Sequence, residues 1–432
     1  MDSITPKHTV REQLAFEEMN QGNHASLACR RQPILFRNSV PEIRSTTAGT
    51  FGIYKYPAKF IPQVIAYVLR CYAQPGMRIF DPFAGYGTVG VVSRVYGYDY
   101  ELWDLNPLMK VIHDTATLEA PIPDPAKLVQ SVRASEAHFL PEWSNIGYWH
   151  PEPFLELLSR AWGFVHQLEG KERFLLLIPM INVTRYFSYA DEKVHKLYKS
   201  KHSKAKVASL LEDNWQSLFW AMLEREVYKL AGKLSEYHQM KPAGVHGTVR
   251  AGIDTLHAQL DQPVDIMVTS PPYLQAQEYI RSTKLELFWL GHSEATVRWL
   301  SKHEIPYRNP EPITIYSELY HRHHAMIEEP HLLTLYENYF RSILNIFARL
   351  SEQVRQYLCI FVGPAKIRTV PIPIDDIIAE HLSHFGWQHE VTYIDQIVSR
   401  VMFNAKLNPA SGLQESRMRT EHMVVLKRMG GA

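Results

Sequence analysis

Two consecutive prolines closing an apolar run restrict this chain more than any other stretch. Residues 264–268, Val-Asp-Ile-Met-Val, read as a buried strand, and Thr269-Ser270-Pro271-Pro272-Tyr273 follows at once. Proline fixes φ and has no N–H, so neither Pro271 nor Pro272 can continue a ladder. The strand must end there, with its last carbonyls held in fixed directions. Strand carboxyl ends are where open α/β sheets place ligands. The turn offers a hydroxyl, a rigid carbonyl acceptor and an aromatic ring within a few residues. A polyproline-like turn that only closes the strand is the plainer reading of the same residues.

A second strand-turn-helix signature lies near residue 80. Arg78-Ile79-Phe80 reads as a strand, Asp81-Pro82-Phe83-Ala84-Gly85-Tyr86-Gly87-Thr88 as a turn, and Gly90 onward as a helix. Gly85 and Gly87 permit a tight turn and close approach of backbone to a ligand. The helix N-terminus adds N–H groups without intrahelical partners. The Gly-Lys-Ser/Thr ending of a Walker loop is absent. Residues 98–104 read as a further strand ending in Asp104, before Asn106-Pro107. An acid at that strand end can accept both hydroxyls of a ribose. An N-cap before Pro107 is the alternative. The pattern resumes over residues 249–254, ending in Asp254. Strands alternating with helices imply a doubly wound, mostly parallel sheet.

A length of 432 residues suggests two or three domains, or one with large insertions. Residues 1–50 are polar, carry an Arg30-Arg31 pair, and read as a mobile or draped arm. Residues 51–120 and 246–432 hold the α/β pattern. Residues 121–245 break it with helical spacing of Trp215, Leu218, Phe219, Met222, Leu223, Val227, Leu230 and Leu234, which implies a helical insertion. Residues 391–397 and 423–426 read as a closing antiparallel hairpin, with residues 412–419 in its long connection. Cys29, Cys71 and Cys359 lie far apart, without metal or disulfide spacing, which fits a reducing cytosol. No apolar run is long enough to span a membrane.

The net charge is only +1, so any nucleic-acid surface must be a local patch. The insertion contains one: Arg185, Lys193, Lys196, Lys199 and Lys201, interleaved with Tyr186, Phe187 and Tyr189 and accompanied by His195. Cations among aromatics suit a phosphate-tracking surface. A solvated charged face is the competing reading. Residues 292–335 are polar and His-rich. His321, His323 and His324 have no Cys or carboxylate to complete a metal site, so no metal is expected. A loop facing DNA is the preferred reading.

Ser270-Pro271-Pro272-Tyr273 resembles motif IV of the S-adenosylmethionine-dependent DNA amino-methyltransferases. Residues 81–88 resemble motif I of the same family. Tyr54-Lys55-Tyr56-Pro57-Ala58-Lys59-Phe60-Ile61-Pro62, leading into an apolar helix, resembles motif X, and Asp104 and Asp254 resemble the acids of motifs II and III. The resemblance implies a seven-stranded, mostly parallel sheet with an antiparallel end and a helical insertion. It implies S-adenosylmethionine held by Tyr56, Phe60, Asp81, Phe83, Gly85, Gly87, Thr88, Asp104 and Asp254. It implies catalysis by Ser270, Pro271, Pro272 and Tyr273. An exocyclic amine is conjugated to its base, so its lone pair is a poor nucleophile. Acceptors on its hydrogens, the Ser270 hydroxyl and the Pro271 carbonyl, would turn that lone pair toward the methyl. The Tyr273 ring would stack on an extruded base.

In this family Ser at the first position of motif IV usually accompanies cytosine. The N4 amine of cytosine is therefore preferred over the N6 amine of adenine. Double-stranded DNA is the implied substrate, in a prokaryotic, nucleoid-associated cytoplasmic setting, with a cognate restriction endonuclease acting separately. Two other readings stay open: an RNA methyltransferase, and a non-catalytic nucleic-acid-binding protein on the same fold. The large insertion departs from the minimal family pattern. Target recognition is thereby left between residues 121–245 and 292–335.

Overall fold

A computed structural model describes residues 30–56, 59–193, 196–274, 278–305, 307–397 and 419–430. Residues 1–29 of the expected arm, His195 and residues 412–418 of the expected connection lie outside the described residues.

The strands are β1 Arg31–Ile34, β2 Arg78–Asp81, β3 Asp99–Asp104, β4 Gly247–Ala251, β5 Val264–Thr269, β6 Val354–Val362, β7 Ala365–Ile367, β8 Val370–Ile372, β9 Trp387–Gln396 and β10 Thr420–Arg428. Eight of them form one sheet in the order β1-β9-β10-β6-β5-β2-β3-β4, and β7 and β8 form a separate pair. β4, β3, β2, β5 and β6 run parallel, β10 is antiparallel to both of its neighbours, and β1 is parallel to β9. This is the expected doubly wound, mostly parallel sheet with an antiparallel end. All six residues of β5 are buried, as befits a strand covered on both faces. Asp265 within it accepts the Arg78 backbone N–H at 2.8 Å, so its burial is compensated.

The sheet has eight strands rather than seven, because the described end of the expected arm joins its edge. Arg31 pairs with Thr392 in the β1–β9 register. Its guanidinium lies 3.0 Å from Asp375 and 2.7 Å from Asp376. Phe36 and Val40, just beyond, are fully buried. The Phe36 ring packs 5.3 Å from Tyr67 and 6.3 Å from Phe361. An arm was expected because residues 31–33, Arg-Gln-Pro, are polar, yet the partners that hold them come from the far end of the chain.

The main helices are α1 Pro62–Tyr72, α2 Thr88–Tyr96, α3 Leu108–Ala116, α4 Pro125–Ala134, α5 Glu152–Gln167, α6 Gly170–Tyr186, α7 Lys201–Glu212, α8 Trp215–Gln239, α9 Tyr279–Trp289, α10 Glu294–His303, α11 Glu318–His324, α12 Pro330–Ser351 and α13 Ile374–Ser383. Five of them, α4 to α8, make up the insertion. They do not build a core apart. Trp162, Leu176, Phe219 and Leu223 are buried in one continuous cluster with Ile79, Val91 and Leu102 of the βα core. The other face of the sheet is covered by α12 and α13, where Leu344, Phe347 and Ile377 pack with Phe80, Trp103 and Met267. The expected loop at residues 292–335 contains α10 and α11. Among the described residues no helix is long and apolar enough to cross a membrane.

Candidate active site

The strand order reverses between β2 and β5, because the chain leaves β2 for β3 and β4 on one side and returns to β5 on the other. Such a switch point opens a crevice at the carboxyl ends of the strands. A cavity of about 840 Å³, its open mouth included, lies there. Its walls come from the ends of four strands: Phe83 to Tyr86 after β2, Asp104 to Asn106 after β3, Asp254 to Leu256 after β4, and Ser270 and Pro272 after β5. Tyr56, Lys59 and Phe60 close one side, and Tyr279, Ile280 and residues 303–305 another.

The turn after β2 is shaped by glycine. Gly85 and Gly87 have φ of +55° and +81°, a region that side chains disfavour. Gly87 is also the N-cap of α2. A Cβ on Gly90 would come within 2.7 Å of the Tyr100 ring and 2.8 Å of Leu102, so that glycine lets α2 lie directly on β3. Gly85, Gly87 and Gly90 together form Gly-x-Gly-x-x-Gly, in which the third glycine serves helix–strand packing. That third member was visible in the sequence and goes unused in a reading that stops at Thr88.

Asp104 stands at the centre of the cavity wall. Its Oδ2 accepts the Gly85 N–H at 2.7 Å and its Oδ1 accepts the Asn106 N–H at 2.7 Å. Each oxygen keeps another lone pair for a ligand hydroxyl. Burial pushes its pKa up to about 6, against the lowering effect of those two backbone bonds. Asn106 is itself fixed, donating from Nδ2 to Thr283 Oγ1 at 2.9 Å. Tyr56 lies over the turn: a Cβ on Gly85 would sit 3.3 Å from its ring. The Tyr56 and Tyr279 rings are parallel within 16° at 6.4 Å.

Of the other expected cofactor residues, Phe60, Phe83 and Asp254 line the cavity, whereas Asp81, Gly87 and Thr88 do not. Asp81 is 1% exposed and accepts the Thr269 hydroxyl at 2.6 Å and the Phe83 N–H at 3.0 Å. It ties the end of β5 to the turn after β2, and burial raises its pKa to about 7. Asp254 is held in a two-pronged ion pair by Arg308, at 2.6 and 3.0 Å. Burial would raise its pKa, but the Arg308 bonds and charge outweigh that and lower it. Much of its acceptor capacity is therefore spent within the protein.

Ser270 and Pro272 reach the cavity wall; Pro271 and Tyr273 do not. The Tyr273 hydroxyl donates to Glu421 Oε1 on β10 at 2.7 Å and is also hydrogen-bonded to Ser270. In this arrangement Tyr273 anchors the Ser-Pro-Pro-Tyr turn against β10. Among the wall residues missed from sequence are Lys59, Tyr279 and Glu304. Lys59 donates to the Thr46 carbonyl at 2.9 Å and to that of Phe51, and burial lowers its pKa to about 8. Glu304 accepts the Ile280 N–H at 2.9 Å, and burial raises its pKa to about 7. Tyr279 opens α9. Lys59 lies inside the segment resembling motif X and was legible there. Glu304 sits in a polar stretch with no distinguishing pattern.

The expected basic surface is only partly such a surface. The Arg185 guanidinium bonds Glu286 at 2.7 Å and the Ser282 carbonyl at 3.1 Å, in an ion pair whose carboxylate side chain is 1% exposed. It joins α6 to α9 and lines a surface cleft with Tyr54, Lys55 and Tyr186. Lys196 pairs with Glu278, and Lys199 donates to the Tyr148 carbonyl at 3.0 Å while sitting 3.5 Å over the Tyr189 ring. Lys193 and Lys201 are exposed. His321, His323 and His324 bond separately to the Ile315 carbonyl, the Leu319 carbonyl and Glu337.

The sheet and its glycine-lined, acid-bearing crevice define an α/β protein built to hold a ligand at the switch point. No protein-family model matches the chain. It is 21% identical over 428 residues to the Type II methyltransferase M.MvaI of Kocuria varians, covering 89% of this chain and 92% of that one. The rRNA methyltransferase aviRa from Streptomyces viridochromogenes aligns over 87% of this chain and 90% of its own at 8% identity, with a TM-score of 0.27, too low to bear on the fold. The similarity to the Kocuria enzyme runs over nearly the whole of both chains.

Proposed function

We propose that the protein is a DNA amino-methyltransferase that moves the methyl of S-adenosylmethionine to the N4 amine of cytosine in an extruded nucleotide. One observation carries the reading: Ser270 and Pro272 share a single cavity wall with Asp104 and the Gly85 turn. The residues suit the methyl donor. Asp104 retains acceptor capacity for ribose hydroxyls, and Tyr56, Phe60 and Phe83 supply apolar surface. S-adenosylmethionine supplies an activated methyl on sulfonium, so the protein has only to bind, orient and exclude water.

Within that scheme Asp104 accepts the ribose hydroxyls and the Gly85 turn lets backbone approach. The Ser270 hydroxyl accepts one amine hydrogen and the Pro271 carbonyl is the candidate for the other. Held so, the amine lone pair points at the methyl. Tyr273 keeps the turn in place through Glu421, a positioning role beside the stacking role the resemblance suggests. The likeness to the Kocuria Type II methyltransferase supports DNA as substrate; a separately acting restriction endonuclease is the partner that goes with this reading. Incubation with labelled S-adenosylmethionine and a mixture of duplex DNA and tRNA tests the reading. Label in the duplex is expected. Label in tRNA alone overturns it.

A further inference from the structure

A second cleft, about 950 Å³ with its open mouth, lies beside the cavity, and Glu304 lines both. Its walls come from three parts of the chain. Trp143, Asn145 and Trp149 belong to the insertion, Arg281 and Lys284 to α9, and Tyr307 to the segment after α10; Glu278 joins Glu304 as a second carboxylate on the wall. Trp143 stacks between Phe288, at 4.3 Å and 12°, and Trp149, at 6.4 Å and 17°. Phe288 and Trp143 are buried and Trp149 is half-buried, so the stack ends at the cleft. Lys284 lies 5.8 Å from the Trp143 ring. Tyr148, Tyr198 and Tyr307 are 55%, 53% and 51% exposed, and each lies in or next in sequence to the wall residues. Exposed aromatic rings beside a cation offer flat faces and a positive charge together. That combination suits a polynucleotide, with bases on the rings and phosphates on the cations.

We infer that this cleft, rather than the insertion or the segment at residues 292–335 alone, holds the DNA strand next to the nucleotide being methylated. The inference rests on the proposed function. Its geometric basis is the sharing of Glu304: a strand with one nucleotide in the catalytic cavity has its neighbour at the cleft. The Trp149 face takes a base, Lys284 takes a phosphate, and the Asn145 amide offers a donor and an acceptor to a base edge, while Arg281 is held by Glu278 at 3.1 Å. Both segments that could carry recognition thereby act on one strand.

The test uses the full chain and a fluorescent duplex that the wild-type protein methylates. Anisotropy titrations compare Trp149→Ala, Tyr307→Ala and Lys284→Gln with wild type, and calorimetry follows S-adenosylmethionine. Loss of the stacking ring in Trp149→Ala should weaken duplex binding roughly tenfold or more. Lys284→Gln should flatten the log-affinity against log-salt slope by about one unit. Cofactor affinity should be unchanged in every variant. Trp149 also packs on Trp143, so should Trp149→Ala misfold, the surface changes at Tyr307 and Lys284 decide. Wild-type duplex affinity and salt slope in both of those variants overturn the cleft while leaving the methyltransferase reading intact. A wild-type protein that methylates tRNA and no duplex overturns both.

Discussion

At the scale of single residues, the site is a set of buried carboxyl groups with different duties. Asp104 holds two backbone N–H groups and faces the cavity, so Asp104→Ala removes a ligand acceptor and unties the Gly85 turn. Charge-assisted bonds of this kind contribute about 1.5–3 kcal/mol, so S-adenosylmethionine affinity should fall by roughly ten- to hundredfold. Calorimetry showing undiminished affinity would refute the role. Ser270→Ala should cut methyl transfer by orders of magnitude while leaving cofactor affinity alone, because its contact is made to the amine; a single-turnover assay at saturating cofactor checks it. Glu304 gives a pH signature. Unfolded, it ionises near its ordinary 4.5; folded, burial holds the proton to about 7. Between those values the unfolded state binds fewer protons, so stability falls as pH rises and levels off above the window. Glu304→Gln keeps an acceptor for the Ile280 N–H and removes that penalty. Its melting temperature should gain on wild type between pH 5 and pH 8, and a constant difference across that range would contradict the assignment.

At the scale of elements, legibility followed the locality of the forces. β5 was readable because an unbroken apolar run followed by two prolines states both the burial and the end of the strand. α2 was readable from the glycine turn before it, although it opens at Thr88 rather than at Gly90. β1 was not readable. Its burial alternates poorly, and its stability comes from β9 and from Asp375 and Asp376, more than 300 residues away. Arg31→Ala should therefore destabilise the fold by about 3 kcal/mol, since Asp376 loses its partner and Asp375 keeps only His422, at 2.8 Å. The midpoint of chemical denaturation measures it, and a shift no larger than a surface substitution gives would return residues 30–34 to the status of an arm. Gly163 within α5 shows the same limit. A Cβ there would lie 2.4 Å from the His138 backbone, so Gly163→Ala should cost about 1–3 kcal/mol by the same measurement. A glycine inside a helical pattern announces a close approach, but the sequence does not say to what.

At the scale of the whole molecule, the wall of the cavity was more legible than the proposed substrate surface. Ser270, Asp104 and Gly85 are brought together because each ends or follows a parallel strand, and strand ends can be read. The basic residues of the insertion could not be sorted by spacing: Arg185 turned out to bond Glu286, and Lys196 to bond Glu278, partners that lie far along the chain. The insertion shares its core with the sheet, so it can deliver Trp143 and Trp149 beside the catalytic turn as a rigid extension of it. The central claim is that this wall transfers a methyl group to an exocyclic amine of DNA. Its most direct test is to methylate duplex DNA with labelled S-adenosylmethionine, digest to nucleosides and identify the labelled product by mass, with Ser270→Ala in parallel. N4-methylcytosine is expected from wild type and none from Ser270→Ala. Label in N6-methyladenine would contradict the choice of base, and unlabelled DNA would contradict the account itself.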